Sequence, residues 1–87
     1  MADRMHLRVY TPERQLADAE VSEVIAPGAL GEIGVLPDHA ALVTALDQGV
    51  LSYKQGTTVT RLRLGAGFAE IKDNLITVLT ESGEPIT

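Results

Sequence analysis

Turn-forming residues interrupt this 87-residue chain so often that only short extended elements fit between them. Pro12, Pro27 and Gly49 are examples, and further glycines and Asp-Asn or Gln-Gly pairs follow at similar spacing. Between them, apolar residues alternate with polar ones at a period of two, which is typical of strands with one buried face. No segment has the pattern of a long amphipathic helix. The sequence therefore predicts an all-β domain, either a sandwich or a small barrel.

The alternation is clearest near the N-terminus, where Met5, Leu7 and Val9 are separated by polar or aromatic residues. The same reasoning predicts about eight strands. They cover residues 5–10, 21–26, 31–36, 40–46, 50–54, 57–64, 68–71 and 75–79. The segment 40–46 is rich in alanine and long enough for two helical turns, but its place between two turns favours a strand.

Three segments are predicted to be turns or loops. Residues 72–74 predict a three-residue hairpin loop, and residues 65–67 predict a tight turn with positive φ. Residues 81–87 contain a glycine and a proline and predict a loose tail, so the ordered part spans about 4–81. We expect one domain over residues 1–87, because domains rarely fall below about 50 residues.

The composition argues against several function classes. Twelve acidic and seven basic residues give a net charge of −5, whereas binding of nucleic-acid phosphates needs clustered positive charge. The aromatic residues are Tyr10, Tyr53 and Phe68, too few for a base-stacking platform. Because cysteine is absent, the apolar core must stabilise the domain without a disulfide or a thiolate metal site.

The N-terminus does not indicate secretion or membrane insertion. Its few basic residues are not followed by the apolar run of a secretory signal. No segment reaches the roughly 18–20 apolar residues that span a bilayer. We therefore expect a soluble chain, and the lack of cysteine fits a cytosolic location.

None of the reactive side chains has the spacing of a catalytic motif. His39 follows Asp38 and Ser52 lies downstream, but no nucleophile elbow surrounds that serine. Residues 65–70 begin like a dinucleotide-binding fingerprint, but glutamate stands where the third glycine belongs and no helix follows. His6 and His39 lie far apart and offer no metal-ligand spacing. We expect no catalytic residue, no cofactor and no metal.

The segment Gly31–Ala40 differs from the rest of the scaffold. Its two glycines allow a neighbouring surface to approach closely, and three of its residues are apolar with few polar neighbours. Glu32 and His39 place charged or titratable groups near its two ends. These features fit core packing and partner binding about equally well.

Several short runs occur in the order that one protein family shows. They are Ala26–Gly28, Gly31–Ala40, Leu42–Leu46 with Gly49, Leu64–Ile71, Asn74 and Thr77–Leu79. Leu7, Val9 and Thr11 match the first strand of the same family. Over residues 7–81 the chain closely resembles the epsilon subunit of F-type ATP synthases, and the ordered combination of runs is specific.

The resemblance implies a ten-stranded β-sandwich made of two packed antiparallel sheets. It implies a non-catalytic rotor subunit in the central stalk of the F1 part. Such a subunit links the gamma subunit to the polar loops of the membrane c-ring and helps couple ion translocation to ATP synthesis. The alpha/beta hexamer would be an indirect partner, and the protein would lie peripherally at the cytoplasmic face of the inner membrane.

The resemblance also assigns residues to two partner surfaces. Glu32, with Gly31 and Gly34 beside it, matches the family's position that faces the c-ring loops. The positions near gamma are His39, Thr11, Thr44, Val35 and Leu36. An ordinary role at a strand end or on a strand face fits Thr11 and Thr44 nearly as well.

The chain departs from the family pattern in three places. Asp38 stands where glycine or another small residue is common, and Ala41 where proline is common. Most family members continue into a C-terminal helical hairpin that restrains ATP hydrolysis and in some cases binds ATP. The chain ends before that hairpin, which fits a naturally short epsilon subunit or an excised N-terminal domain. We therefore assign it neither ATP binding nor regulation.

Two other function classes are alternatives. A free-standing ligand-binding β-sandwich predicts a concave apolar pocket with converging polar groups. A small hydrolase predicts His39 within hydrogen-bond reach of a serine or a carboxylate in a cleft. The acidic balance and the lack of nucleophile motifs favour the rotor subunit.

Overall fold

The computed structural model describes residues 2–86, and every regular element among them is a β-strand. The strands are β1 (Met5–Tyr10), β2 (Gln15–Val21), β3 (Glu23–Gly28), β4 (Gly31–Val35), β5 (Leu42–Leu46), β6 (Gly49–Gln55), β7 (Thr58–Leu64), β8 (Gly67–Lys72), β9 (Leu75–Thr80) and β10 (Gly83–Pro85). The all-β class and the ten strands are thereby confirmed. No helix that could span a bilayer occurs in this described part of the chain.

The strands form two layers of five that meet at a narrow junction. The first layer has the order β4-β3-β6-β7-β10, and the second has the order β5-β8-β9-β1-β2. A single residue pair, Gly28 with Leu46, joins β3 to β5 and makes the hydrogen-bonded ladder continuous. The predicted sandwich is confirmed, with its two layers linked along one edge.

One strand pair departs from the antiparallel arrangement that the resemblance implied. β1 and β9 are parallel, with Val9 opposite Val78, whereas β2 is antiparallel to β1 on its other side. β1 and β9 are far apart in the chain, with seven strands between them. No hairpin turn therefore forces them to be antiparallel. The second layer is therefore a mixed sheet.

The period-two pattern turns one apolar face of each strand toward the space between the layers. In β1, Met5, Leu7 and Val9 are buried and alternate with more exposed residues. Leu51 in β6 and Leu62 in β7 face them from the first layer and are also buried. The largest fully buried side chains are Leu7, Leu51, Leu62, Ile76, Val9, Val21, Val24, Val35 and Val78. The core is thus aliphatic and shared by both layers.

Strand β2 is missing from the prediction, which placed one strand over residues 21–26. In the structure the chain bends at Ser22, so β2 ends at Val21 and β3 begins at Glu23. β2 is hard to recognise because alanines alternate with charged residues along it, a composition of low strand propensity. Its extended conformation comes from pairing with β1 over its whole length.

Two turns differ from their predicted geometry. The β8–β9 loop has two residues rather than three, Asp73 and Asn74, with φ of 51° and 60°. Positive φ at both positions is typical of a type I′ turn, which Asp and Asn tolerate. Gly65 and Gly67 do not have positive φ. A Cβ at Gly67 would collide with the Leu79 carbonyl oxygen, so close backbone approach is what requires that glycine.

Residues 81–86 do not form the predicted loose tail, and Thr87 lies outside the described residues. Gly83–Pro85 is strand β10, which pairs with β7, and the Ile86 amide donates a hydrogen bond to the Arg61 carbonyl oxygen at 3.0 Å. Gly83 permits this pairing because a Cβ there would lie 2.5 Å from the Leu16 side chain. The prediction is wrong because it rested on the glycine and proline content of the segment. That content does not reveal that one edge of β7 lacks another strand and can pair with residues 83–85.

Candidate partner-binding surfaces

The hairpin of β3 and β4 carries the residues that the resemblance assigns to the c-ring. Its tip is a two-residue turn between the paired residues Gly28 and Gly31. Leu30 in this turn is completely exposed, and Glu32 on the adjoining strand is exposed as well. Among residues 2–86, no basic group lies within ion-pair distance of the Glu32 carboxylate. The hairpin therefore presents an apolar side chain and an unpaired carboxylate to solvent.

The two glycines of this hairpin serve different purposes. Gly31 has a φ of 133°, a backbone conformation that side-chain-bearing residues rarely adopt. Gly34 is paired with Ile25 and has no positive φ, and a Cβ there would meet nothing within 4 Å. No contact inside the domain therefore requires glycine at position 34, and its flat surface is open to close approach from outside.

Val35 and Leu36, both assigned to the gamma contact, have opposite environments. Val35 is paired with Val24 and is 2% exposed, so its side chain belongs to the core and is not available to a partner. Leu36 is 58% exposed. The assignment of Val35 to a partner surface is therefore wrong, because pairing with β3 turns its side chain inward and leaves Leu36 outside.

The loop after β4 is attached to the second layer by a reciprocal contact between Asp38 and Asn74. The Asp38 amide donates to Asn74 Oδ1 at 2.7 Å, and Asn74 Nδ2 donates to Asp38 Oδ1 at 3.1 Å. The carbonyl oxygen of Asn74 also accepts a hydrogen bond from the His6 amide at 2.8 Å. Asn74 thus connects the start of β1 to the loop that carries His39.

Asp38 has a φ of 66°, a backbone conformation that glycine adopts most readily. Aspartate tolerates this conformation better than most residues do, and its carboxylate accepts a hydrogen bond here. The neighbouring His39 amide donates to the Leu36 carbonyl oxygen at 3.2 Å, and His39 Nδ1 lies 2.6 Å from the Ala40 carbonyl oxygen. The loop is therefore ordered by hydrogen bonds on both sides of Asp38.

We expect the Asp38–Asn74 contact to stabilise the domain measurably. Asp38→Gly and Asn74→Gly both retain the positive φ, so each substitution should cost about 1 kcal/mol from the lost hydrogen bonds. A double-mutant cycle measured by urea unfolding should give a coupling free energy of about 0.5–1.5 kcal/mol. Strictly additive losses would mean that the two side chains do not stabilise each other.

The hydroxyl groups of Thr11 and Thr44 both have partners within the chain. Thr11 Oγ1 accepts hydrogen bonds from the amides of Glu13 at 3.3 Å and Arg14 at 3.2 Å, closing the turn between β1 and β2. Thr44 Oγ1 donates to the Ala45 carbonyl oxygen at 3.3 Å. These contacts give Thr11 in particular a structural role, whatever partner it meets.

The structure does not bring the residues assigned to gamma into one place. Thr11 follows the last residue of β1, whereas His39 lies beside Asp38 and therefore near the first residues of β1. From His6 to Tyr10 the strand spans about 13 Å at the usual rise. A partner that touches both Thr11 and His39 must extend along the second layer.

The histidines and Ser52 lie in separate environments. Ser52 lies in β6 between Ile25 and Arg61, on the outer surface of the first layer. His6 pairs with Asp18 on the outer surface of the second layer. Within residues 2–86, no group of three or more potential metal-ligating side chains comes together. The pair of His6 and Asp18 is an ordinary surface contact.

A groove at one end of the adjacent strands β6, β7 and β10 is open to solvent. It is lined by Gln48–Val50, Arg63–Gly65 and Ser82–Glu84. Arg63 and Glu84 form an ion pair across it at 3.5 Å. Three glycines and polar side chains make up most of its wall, which differs from the enclosed apolar pocket expected of a ligand-binding sandwich.

Sequence reasoning missed two exposed apolar features. Leu30 stands at the hairpin tip, and Phe68 and Leu79 project from the outer surface of the second layer. The sequence did contain a signal for Phe68. Ala69 and Ile71 lie on the buried face of β8, so the period-two pattern places Phe68 on the exposed face. No pattern indicated Leu30, which lies in a turn.

Two solved structures share this fold. A chain in the structure of the Euglena gracilis mitochondrial ATP synthase, comprising OSCP, F1 and the c-ring, aligns with a TM-score of 0.90 at 23% identity. The alignment covers 98% of this chain and 55% of that one. A chain from the central stalk and c-ring of the Tetrahymena thermophila mitochondrial ATP synthase aligns with a TM-score of 0.76 at 15% identity, covering 92% and 65% of the two chains.

Curated relatives are more similar in sequence. The ATP synthase epsilon chain of Carboxydothermus hydrogenoformans is 46% identical over 97% of this chain and 63% of its own length. The chloroplastic ATP synthase epsilon chain of Emiliania huxleyi is 45% identical over 92% of this chain and 62% of its own length. The chain thus spans about three-fifths of the length of these relatives. The family described as ATP synthase, Delta/Epsilon chain, beta-sandwich domain matches residues 4–86, and the chain belongs to that family.

Proposed function

We propose that this chain forms the β-sandwich of a central-stalk subunit in a rotary ATP synthase. It links the gamma subunit to the polar loops of the c-ring, turns with both, and so helps couple ion translocation to ATP synthesis. It carries out no chemical step itself, and the alpha/beta hexamer is an indirect partner. The subunit lies peripherally at the cytoplasmic face of the inner membrane. The family and the names of the curated relatives support this proposal.

The exposed β3–β4 hairpin is the observation that carries the proposal. Glu32 lies on it without an ion-pair partner in the described chain, and Gly34 keeps the adjoining surface flat without any internal need for glycine. Such a surface suits a partner that comes close to the backbone and supplies a positive or polar group. The c-ring loops are the proposed partner, with Leu30 as an additional apolar contact.

The gamma subunit is the proposed partner of the second layer. Leu36 and His39 lie at one end of that layer, Thr44 lies within β5, and Thr11 lies at the other end. Leu36 supplies exposed apolar surface, and His39 supplies a half-buried imidazole ring whose Nδ1 lies beside the Ala40 carbonyl oxygen. Val35 contributes through the core only.

The hairpin assignment predicts that Glu32→Lys weakens binding to a purified complex of gamma and c-ring about tenfold, because the substitution places a cation where the carboxylate met basic or polar groups. Affinity is measured by sedimentation or surface binding at physiological salt. Glu84→Lys is the matched control, since it changes the net charge equally but lies on the far edge strand β10.

Equal loss from Glu32→Lys and Glu84→Lys would contradict the hairpin assignment and indicate a general charge effect. Failure of the folded wild-type chain to bind the gamma–c-ring complex at micromolar concentration would contradict the rotor function. The free-standing ligand-binding domain would then become the better hypothesis.

A further inference from the structure

Strand β10 is attached to the domain mainly by backbone hydrogen bonds. It forms a three-residue ladder with the end of β7. Beside this ladder, the Gly65 amide donates to the Ser82 carbonyl oxygen at 2.8 Å, and the Ile86 amide donates to a carbonyl oxygen of β7 at 3.0 Å. The ion pair of Arg63 and Glu84 adds little, because both side chains are 63% exposed. The attachment of β10 therefore depends on a few hydrogen bonds.

The strand β10 buries none of its side chains. Gly83 has no side chain, Glu84 and Pro85 are exposed, and Ile86 after the strand is only half-buried. Each of the other nine strands in residues 2–86 contains at least one buried residue. Burial of apolar side chains is the dominant favourable term in folding. A strand without it belongs to the low-stability end of a structure, where segments open without global unfolding.

The position of β10 makes its attachment important to the core. β10 and β2 end the two layers on the side opposite the Gly28–Leu46 pair, and within residues 2–86 no backbone hydrogen bond joins them. Gly83 instead lies against Leu16 of β2 and Leu64 of β7, since a Cβ there would be 2.5 Å and 2.8 Å from these side chains. Leu64 is buried and Leu16 packs against the core, so β10 covers apolar surface.

Thr80 marks the point at which the firmly held part of the chain ends. It is 5% exposed, and its hydroxyl lies 2.8 Å from the Gly65 carbonyl oxygen and 3.0 Å from that of Ser82. Because a hydroxyl has one proton, it donates to only one of these oxygens at a time. The hydroxyl can therefore keep the Gly65 bond when Ser82 moves away. The Glu81 amide also stays bonded, to the Ala66 carbonyl oxygen at 3.1 Å.

We propose that residues 82–86 form a strap that detaches from the edge of β7 and closes again while the rest of the domain stays folded. When closed, the strap covers Leu64 and the hydrogen-bonding edge of β7. When open, it exposes both and removes one wall of the groove at the end of β6 and β7. The strap is a property of the domain itself and does not rest on the proposed function.

The composition of the strap fits a removable cover for a sheet edge. Natural edge strands are protected from pairing with other chains by being short and by carrying charge or proline. β10 has three residues, of which one is Glu84 and one is Pro85. Strand register turns the Glu84 backbone toward β7 and the Pro85 nitrogen away from it, the side on which proline is tolerated.

Native-state hydrogen exchange of the unaltered chain tests the strap, because β7 supplies its own control. The register turns the amides of Arg63 and Gly65 toward β10, and those of Thr60 and Leu62 toward β6. We expect the first two amides, together with that of Ile86, to exchange at least about 100-fold faster than the second two. Their exchange should also depend on urea less than about one-third as steeply as global unfolding does, because strap opening exposes little surface.

Gly83→Ala provides a second test. The added Cβ overlaps the Leu16 and Leu64 side chains, so we expect exchange at Arg63 and Gly65 to become about tenfold faster still, while exchange at Leu62 changes less than about threefold. Gly34→Ala is the matched control, because its Cβ meets nothing within 4 Å, and we expect it to leave the ratio between the two sets unchanged.

Three results would overturn the strap. The two sets of amides could exchange at equal rates, or the fast set could depend on urea as steeply as global unfolding does. Either result would mean that β10 leaves β7 only when the whole domain unfolds. The third is an equal acceleration of every amide by Gly83→Ala, which would show that β10 is a cooperative part of the core. None of these results bears on the rotor function.

Discussion

Replacing Gly67 with alanine is expected to destabilise this domain by about 3 kcal/mol or more, the largest effect that we expect of alanine at any of its glycines. A Cβ at position 67 would collide with the Leu79 carbonyl oxygen and lie 2.8 Å from the Thr80 Cα. Both obstacles are backbone atoms of the neighbouring strand β9, so no side-chain rotation can relieve the overlap. The strands β8 and β9 would have to separate where they support the core.

The control for this prediction is Gly34→Ala. A Cβ at position 34 meets nothing within 4 Å and the backbone has no positive φ, so we expect a change of no more than about 0.5–1 kcal/mol. Urea unfolding followed by circular dichroism gives both values from the midpoint and slope. If Gly67→Ala and Gly34→Ala had similar effects, the close approach of β8 to β9 in this structure would be incorrect.

Leu51→Ala is expected to cost about 3–5 kcal/mol, a large share of the free energy of unfolding of the domain. Leu51 is fully buried, and its side chain lies in the aliphatic core between the layers, where no disulfide can compensate for a cavity because the sequence has no cysteine. A domain of this size has a total stability of only about 5–10 kcal/mol. The variant should therefore unfold at much lower urea concentration than the wild type.

The neighbouring Val50 provides the comparison. It is exposed on the opposite face of the same strand, so Val50→Ala should cost less than about 1 kcal/mol. The difference between adjacent positions tests the register of β6 directly, because a shift of one residue would exchange their environments. A larger loss for Val50→Ala than for Leu51→Ala would contradict the strand assignment.

The local pattern of the sequence was sufficient for strands whose residues alternate strictly. β1 and β7 were predicted because Leu7 and Val9, or Leu62 and Leu64, stand between polar residues. β2 and β10 were missed because their conformation depends on pairing with distant residues, and their own side chains favour no strand. Contacts between residues far apart in sequence are the information that propensity and periodicity lack.

The inward or outward direction of some side chains also depended on pairing. Val35 and Leu36 are adjacent and both apolar, so the sequence offers no way to decide which one is buried. The pairing of Val24 with Val35 decides it. The same ambiguity affects Val78 and Leu79, of which the first is buried and the second is exposed. The wrong assignment of Val35 and the failure to notice Leu79 therefore have the same cause: the sequence does not show which of two adjacent apolar residues is buried.

The candidate site came from family resemblance rather than from physical pattern. Glu32 and His39 appeared as charged ends of an unusual segment, but periodicity gave no reason to place them on two different surfaces. In the structure, Glu32 lies on the β3–β4 hairpin. His39 lies in the loop that is hydrogen-bonded through Asp38 to Asn74. The fixed position of that loop could not be predicted, because it depends on a side-chain contact between two turns.

If this chain is part of a rotor, its rotation can be observed directly. The chain contains no cysteine, so Thr57→Cys in the β6–β7 turn of the first layer gives one attachment point for a fluorescent filament. The labelled chain is bound to an F1 sector immobilised through its alpha/beta hexamer, and ATP is added. We predict that the filament turns continuously in one direction. A filament that stays bound and motionless during ATP hydrolysis would contradict it.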